Sequence, residues 1–274
     1  MIFQQRPGLR AAAVYRIALL LYRMAGRLAT RIWFTNPNDR TRFVSLGIIP
    51  SERTLLTGNA ITLSEYSREA VSADKVAALR HELGLKPEDV LVLMVGRLIR
   101  AKGVLEYLES ASIVRRRFPH ARFLLVAPAE EGAPDEVPVA DVLRRQESGD
   151  FQWLGFRRDL RDLYAVVDIG VLPSWYQEGG YPRALLEPMA FGCPVIAADT
   201  ESCRNPVEPG VNGYLVVPQN IQSLAEAISR LVGDPELRKQ FGARSKRKII
   251  EQFDDLTVAT SIADYIKSSI RTHS

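Results

Sequence analysis

Two short segments of the chain concentrate the residues able to do chemistry. The first is Gly96-Arg97-Leu98-Ile99-Arg100-Ala101-Lys102-Gly103. It follows an apolar run and precedes a helical pattern, so Gly96 is expected to let the chain turn. Arg97 and Lys102 place two cations at a strand end, where a diphosphate can be held by charge-assisted contacts. The same residues would also suit an ordinary solvated loop. The second segment is Glu178-Gly179-Gly180-Tyr181-Pro182-Arg183, followed on a helix by Glu187. Pro182 is expected at the first helical position. Unpaired N–H groups near Gly179, Gly180, Tyr181 and Arg183, with the helix dipole, favour an anion without a metal. Glu178 and Glu187 are poor phosphate ligands but good acceptors for sugar hydroxyls. An anion cradle with hydroxyl acceptors on both sides suits a nucleotide sugar. The plainer alternative has Glu178 capping the helix and Glu187 pairing with Arg183 at i, i+4 on its surface.

The elements that must position these segments follow from hydrophobic period. The continuous apolar run Val90–Val95 predicts a strand buried on both faces, 122–127 predicts a second buried strand, and 151–154, 168–172, 194–198 and 213–217 predict further strands. Helical patterns lie between or after them, at 103–117, 141–146, 160–166, 183–191, 221–232, Pro235–Gln252 and 256–270. This alternation predicts an α/β fold with a doubly wound parallel sheet. Such sheets bind ligands at the carboxyl ends of their strands, where both segments fall. Ahead of the sheet, 31–36 and 54–57 predict short strands. Asn38-Asp39 are expected to cap a helix to Leu46 that Gly47 ends. Residues 60–71 are irregular and suggest a connector. Ser72 is a candidate N-cap for a helix stopped by Gly84.

Other chemistries lack their residues. There is no G-x-G-x-x-G, P-loop, H-E-x-x-H or Asp-x-Asp. His81, His120 and His273 are scattered among polar neighbours and read as surface residues, so no metal and no cofactor are expected. Two cysteines, Cys193 and Cys203, make no disulfide framework and suit a reducing, cytoplasmic setting. With 36 basic against 32 acidic residues in 274, the net charge of +4 does not call for a nucleic-acid partner.

Residues 9–31 read as an amphipathic helix, with Val14, Ala18, Leu21 and Ala25 on one face. Arg16, Arg23, Arg27 and Arg31 interrupt it well short of the roughly 20 apolar residues of a membrane span. The helix suits packing with a basic rim, or peripheral contact with an anionic membrane surface.

Taken in order, several motifs resemble the carboxyl-terminal half of a family 4 glycosyltransferase of GT-B fold. They are Gly96-Arg97-Leu98 with Lys102-Gly103, Phe151-Gln152-Trp153-Leu154-Gly155, Leu172-Pro173-Ser174, Glu178-Gly179, Leu185-Leu186-Glu187-Pro188-Met189-Ala190, Gly192-Cys193-Pro194-Val195-Ile196-Ala197 and Gly210-Val211-Asn212-Gly213. The Tyr176-Gln177-Glu178-Gly179 wording and Cys203-Arg204 resemble the branch adding N-acetylated sugars to undecaprenyl-diphosphate-linked glycans.

The resemblance implies a retaining, metal-independent transferase with a UDP-sugar donor and a lipid-linked or cell-surface glycan acceptor. It implies that Arg97 and Lys102 neutralise the leaving diphosphate, that Glu178 contacts the transferred sugar, and that Glu187 binds the ribose. Main-chain groups near Gly155 and Phe156 would edge the base. The family's glutamates are usually separated by seven residues, whereas Glu178 and Glu187 have eight between them. Pro188 removes a helical hydrogen bond, so a bend is expected there. A full member also carries an amino-terminal acceptor domain. On this reading residues 1–70 are a remnant of that domain, 71–253 bind the donor, and 254–274 form a returning helix. A non-catalytic or split-subunit nucleotide-sugar module, completed by another acceptor-domain chain, is the alternative. A GT-B epimerase is less suited, since its acid/base histidines are missing.

Overall fold

The computed structural model describes residues 9–176 and 180–271. In chain order the elements are α1 (Leu9–Leu28), β1 (Ile32–Phe34), α2 (Pro37–Ser45), β2 (Thr54–Leu56), α3 (Ala73–Glu82), β3 (Val90–Val95), α4 (Val104–Arg117), β4 (Ala121–Val126) and α5 (Val139–Gln146). They continue with β5 (Gln152–Trp153), α6 (Leu160–Leu163), β6 (Ile169–Leu172), α7 (Arg183–Ala190), β7 (Val195–Ala198), β8 (Gly213–Val216), α8 (Ile221–Gly233), α9 (Pro235–Gln252) and α10 (Asp255–Arg271). The chain divides into two compact units. One spans Ala60–Val258, and the other joins the residues up to Asn59 with those from Ala259 onward.

The larger unit is an α/β layer built on a six-stranded sheet, every pair parallel, in the order β5-β4-β3-β6-β7-β8. Its inner strands β3, β6 and β7 read as apolar runs because both faces are covered, while the edge strand β5 is not fully buried. In β3, Val90, Val92 and Met94 enter a core with Tyr107, Leu224 and Ile228. Leu91 and Leu93 point the other way, to Leu79, Tyr164 and Phe191. Leu172, Val195 and Ala197 form a third cluster with Leu185, Met189, Ile249 and Phe253. Strand order reverses between β3 and β6, so two loops diverge there and leave a crevice above the strand ends.

Residues 60–71 form no regular element beyond a 3-10 turn at Arg68–Ala70, yet they are packed into this unit. Ile61 is fully buried and bridges Asp254. The Arg68 guanidinium donates to the carbonyls of Phe191, Ala165 and Val167 at 2.9, 2.6 and 2.8 Å. Ser72 caps α3 by accepting from Lys75 N–H, and Gly84 follows the helix at φ 60°, both as the sequence predicts.

In the smaller unit β1 and β2 form a parallel pair, Ile32 opposite Thr54. Phe43 of α2 meets Phe34 and Tyr22 edge-on, at 5.2 and 5.3 Å. The cap of α2 is Asn36 rather than Asn38-Asp39: its side chain accepts from Asp39 N–H, and Pro37 opens the helix. Pro37 has no N–H to leave unsatisfied, which moves the start two residues earlier than expected. The Arg31 guanidinium lies over the Tyr265 ring of α10 at 4.5 Å and donates to its hydroxyl at 2.8 Å. Gly26 is the buried point of α1, where a Cβ would meet the Ile48 carbonyl at 2.0 Å. Of the side chains predicted to share one α1 face, Val14 and Leu21 are exposed, and Ile17, Leu20, Met24 and Leu28 extend that exposed stripe. Arg23 borders it and donates to the Leu46 carbonyl at 3.0 Å. Among the described residues no helix is long and apolar enough to cross a membrane.

Gly242 lies within α9, and a Cβ there would meet the Gly192 carbonyl at 2.1 Å. Helix propensity alone makes Gly242→Ala stabilising by about 0.5–1 kcal/mol. The close approach reverses that sign. Gly242→Ala is expected to cost about 1–3 kcal/mol and to lower the melting temperature by roughly 3–10 °C. Thermal denaturation followed by circular dichroism measures it, and a raised melting temperature would show that α9 shifts freely from that turn.

Candidate functional site

A cleft of about 310 Å³ opens at the carboxyl ends of β3, β4 and β6, where Val95, Val126 and Leu172 form its floor. This is the reversal point of the sheet. Arg97, Lys102, Arg157 and Arg183 line it, with Phe156 and Pro182 at its sides. No carboxylate is among the described residues that line it.

The loop carrying Arg97 and Lys102 is pinned on several sides. Gly96 N–H donates to Val126 O at 3.0 Å, and Leu98 N–H to Pro128 O at 3.0 Å. Arg100 N–H donates to Asp135 O at 2.8 Å, and Ala101 N–H to the Asp135 carboxylate at 3.3 Å. From the β6 side, Trp175 and Tyr176 N–H donate to Ala101 O at 3.0 and 2.9 Å. The chain bends at Gly96 as expected, directly after β3, and turns again through left-handed Gly103, at φ 75°. A Cβ on Gly103 would sit 2.4 Å from the Pro173 carbonyl, so the two loops cross at a residue without a side chain. Gly96 lies against the aliphatic stem of Lys102, at 3.7 Å from where its Cβ would be.

Arg97 is 3.9 Å from Glu130, a loose pair with both partners partly exposed. The Tyr176 ring lies 5.3 Å from the Arg97 guanidinium and 5.1 Å from the Lys102 ammonium. Arg157 is held by Asp159 and Glu82, both at 2.6 Å, and their hydrogen bonds push its pKa far upward. It is a fixed positive charge.

On the other wall, Pro182 is the N-cap of α7 and Arg183 its first helical residue. The expected position of Pro182 is thus one residue early; its carbonyl accepts from Leu185 and Leu186 N–H at 3.0 and 3.2 Å. Tyr181 is 5% exposed and packs edge-on against Phe253 at 5.6 Å, so it can offer the cleft only its main chain. Gly155 is left-handed at φ 61° and turns the chain into Phe156, which is 68% exposed at the cleft rim. Gly180 follows the three residues outside the described set, where Glu178 and Gly179 fall.

Glu187 does pair with Arg183, at 2.9 Å, but it is buried rather than on the surface. Burial pushes its carboxyl pKa up, and the Arg183 charge pulls it back. The Tyr164 hydroxyl is close enough to Glu187 for the two to interact, but it stays outside hydrogen-bond geometry. The Arg183 guanidinium also lies 5.5 Å from the Tyr66 ring. Arg157 and Arg183 are the cleft cations that sequence reasoning missed. Arg157 directly follows the Gly155-Phe156 motif, and the Arg183 side chain was read as a helix-surface partner while its N–H was placed in the anion cradle.

Four cations converging on a concave strand end can hold a multiply charged anion. Among the described residues no group of three or more His, Cys, Asp or Glu could hold a metal.

The Arg183–Glu187 pair makes a testable claim. A carboxyl whose folded pKa lies above its unfolded value loses stability as pH rises from the unfolded toward the folded value. Removing Arg183 moves the Glu187 value higher still. Arg183→Ala is therefore expected to destabilise most at neutral pH, with the deficit shrinking as pH falls toward the ordinary carboxylate range. Breaking a fully buried pair costs about 3–5 kcal/mol. The Arg183 side chain is 51% exposed, so about 1–2 kcal/mol is expected. Urea unfolding across pH, repeated in a Glu187→Gln background where the deficit should vanish, checks it.

Comparison with known proteins places this cleft in context. Residues 76–248 match the family described as Glycosyl transferases group 1. The N,N'-diacetylbacillosaminyl-diphospho-undecaprenol alpha-1,3-N-acetylgalactosaminyltransferase of Campylobacter jejuni is 29% identical over 92% of this chain and 64% of its own length. The alpha-D-kanosaminyltransferase of Streptomyces kanamyceticus is 28% identical over 82% of this chain and 56% of its own. The chain thus spans little more than half to two thirds of these relatives. The crystal structure of Anabaena HepE in complex with UDP superposes with a TM-score of 0.80 at 26% identity, covering 92% of this chain and 67% of that one. The parallel sheet, its switch-point cleft and the matched residues make this α/β chain a member of the group 1 glycosyl transferases, with a GT-B type fold.

Proposed function

We propose that residues 71–253 bind the donor of a retaining, metal-independent glycosyl transfer, a nucleotide-diphosphate sugar of the UDP class. The observation that carries this reading is the convergence of Arg97, Lys102, Arg157 and Arg183 on one cleft at the sheet's switch point. Fixed cations of this kind stabilise a departing diphosphate as its charge develops. Arg97 and Lys102 take the phosphates. Phe156 and the main chain at Gly155 edge the base. Glu187, beneath Arg183, accepts from the ribose hydroxyls, and Glu178 contacts the transferred sugar. UDP in the HepE complex and the lipid-linked substrate in the Campylobacter relative's name support a UDP-sugar donor and an undecaprenyl-linked or surface glycan acceptor. Such an acceptor fits a cytoplasmic protein at the inner face of a membrane.

The second reading is a donor-binding module completed by another acceptor-domain polypeptide. The exposed α1 stripe favours it, as does Trp33 of β1, which is 59% exposed. Parallel strands are ordinarily covered on both faces. Residues 1–70 would then belong to the acceptor side, with 254–274 returning to it. Peripheral membrane contact through residues 9–31 is the competing use of the same stripe. Flotation with anionic vesicles separates them: Leu20→Glu with Leu21→Glu abolishes flotation only if lipid is the occupant.

Calorimetry with UDP tests the donor site. Binding is expected to persist in chelator, and Arg97→Ala and Lys102→Ala to weaken it. Each lost charge-assisted contact contributes about 1.5–3 kcal/mol. Loss of binding on chelation, or parental affinity in both variants, would overturn the assignment.

Transfer of labelled sugar from UDP-sugar to a lipid-linked acceptor tests the second reading. The purified chain is expected to turn over very slowly, because orienting the second substrate contributes roughly 7–11 kcal/mol. Robust multiple turnover without added protein would exclude the need for a partner.

A further inference from the structure

We propose that Tyr176 is a positioning residue for the donor site, holding Arg97 and Lys102 together from outside the cleft. This rests on the cleft being the diphosphate site. The ring lies within 5.3 Å of one cation and 5.1 Å of the other, so one aromatic ring serves both. Tyr176 does not line the cleft. Its ring therefore leaves the cations facing the ligand.

The placement is built into the backbone. Tyr176 N–H donates to Ala101 O at 2.9 Å, and Trp175 N–H to the same oxygen at 3.0 Å. Ala101 lies between the two cations in sequence, so the strap that fixes the ring also fixes the loop they stand on. The buried Ser174 hydroxyl faces the same carbonyl at 3.4 Å. Gly103 permits the crossing beneath, within 2.4 Å of the Pro173 carbonyl for any Cβ.

The physical need is plain. Two like charges brought together repel, and long side chains lose rotamer freedom when fixed. A carboxylate between them would relieve the repulsion but would compete with a diphosphate. An aromatic ring attracts both cations without carrying a net charge. Glu130, the carboxylate near Arg97, stands off at 3.9 Å.

The test compares Tyr176→Leu and Tyr176→Phe with the parent chain, using calorimetry with UDP, inorganic pyrophosphate and uridine. Tyr176→Leu removes the π face and is expected to weaken UDP and pyrophosphate by about five- to thirty-fold. Uridine, which has no phosphate, should bind all three proteins alike. Tyr176→Phe keeps the face and should stay within about two-fold of the parent. Unchanged melting temperatures exclude a folding defect. Parental pyrophosphate affinity in Tyr176→Leu, with Arg97→Ala and Lys102→Ala still weakened, overturns the role of Tyr176 alone. Pyrophosphate binding that ignores Arg97→Ala and Lys102→Ala overturns the cleft assignment itself. Equal losses for uridine and pyrophosphate in Tyr176→Leu would show a general loop collapse and also overturn the proposal.

Discussion

The site depends on one close approach: Gly103 against the carbonyl of Pro173, where any Cβ would fall at 2.4 Å. At this point the loop after β3 passes under the loop after β6. The crossing brings the Ala101 carbonyl within reach of the Trp175 and Tyr176 N–H groups, at 3.0 and 2.9 Å. It also aims the start of the β6 loop over Arg97 and Lys102. Loops ordinarily owe their mobility to solvated backbone groups. Here those groups are spent on one another, on Asp135 and on the neighbouring strand ends. The cations stand on a frame that is ordered before any ligand arrives, which reduces what binding must cost.

That frame settles the electrostatics of the cleft. Like charges a few ångströms apart repel by several kcal/mol at the effective dielectric near a protein surface, about 4 kcal/mol for a pair at 4 Å. Each cation has its compensation on the outer side. Arg157 leans on Asp159 and Glu82, Arg183 on Glu187, and Arg97 and Lys102 share the Tyr176 ring. The lining itself carries no carboxylate among the described residues. A polyanion entering the cleft therefore meets positive potential from a lining without carboxylates among the described residues. Glu187 fits the same logic. It is buried under Arg183, where its raised pKa is held in check by the guanidinium.

Much of this was legible in the sequence because the signals were local. The apolar runs at Val90–Val95 and the strands after it reported a sheet covered on both faces. The glycines and cations after β3 marked its ligand edge. What was not legible depended on contacts distant in sequence. The sequence marked a turn at Gly96, where the chain does bend, but the left-handed turn at Gly103 is set by the approach of Pro173. Tyr181 sits beside a glycine loop and reads as a ligand contact, yet Phe253, seventy-two positions later, draws its ring inward. Arg183 read as an i, i+4 partner on a helix surface. Its companion Glu187 is buried because α7 packs between β6 and α9. Arg157 gave no signal beyond its neighbour Phe156, since its value to the cleft comes from Glu82 on α3.

The same rule that explains the larger unit identifies what is different about the smaller one. In β3 successive residues alternate between two cores, and each finds a cover: Val92 meets Tyr107, and Leu93 meets Tyr164. In β1 the run Ile32-Trp33-Phe34 has the same apolar character. Phe34 finds Phe43, but Trp33 remains 59% exposed, and Leu28 at the end of α1 is 85% exposed. A two-stranded parallel pair is a marginal structure on its own. What holds this one is a small set of specific contacts: Gly26 on Ile48, Phe43 between two rings, and Arg31 on Tyr265. Exposed apolar side chains remain on α1 and at Trp33, and the free energy available from covering them, about 25 cal/mol per Å², is what a lipid surface or a complementing polypeptide would recover.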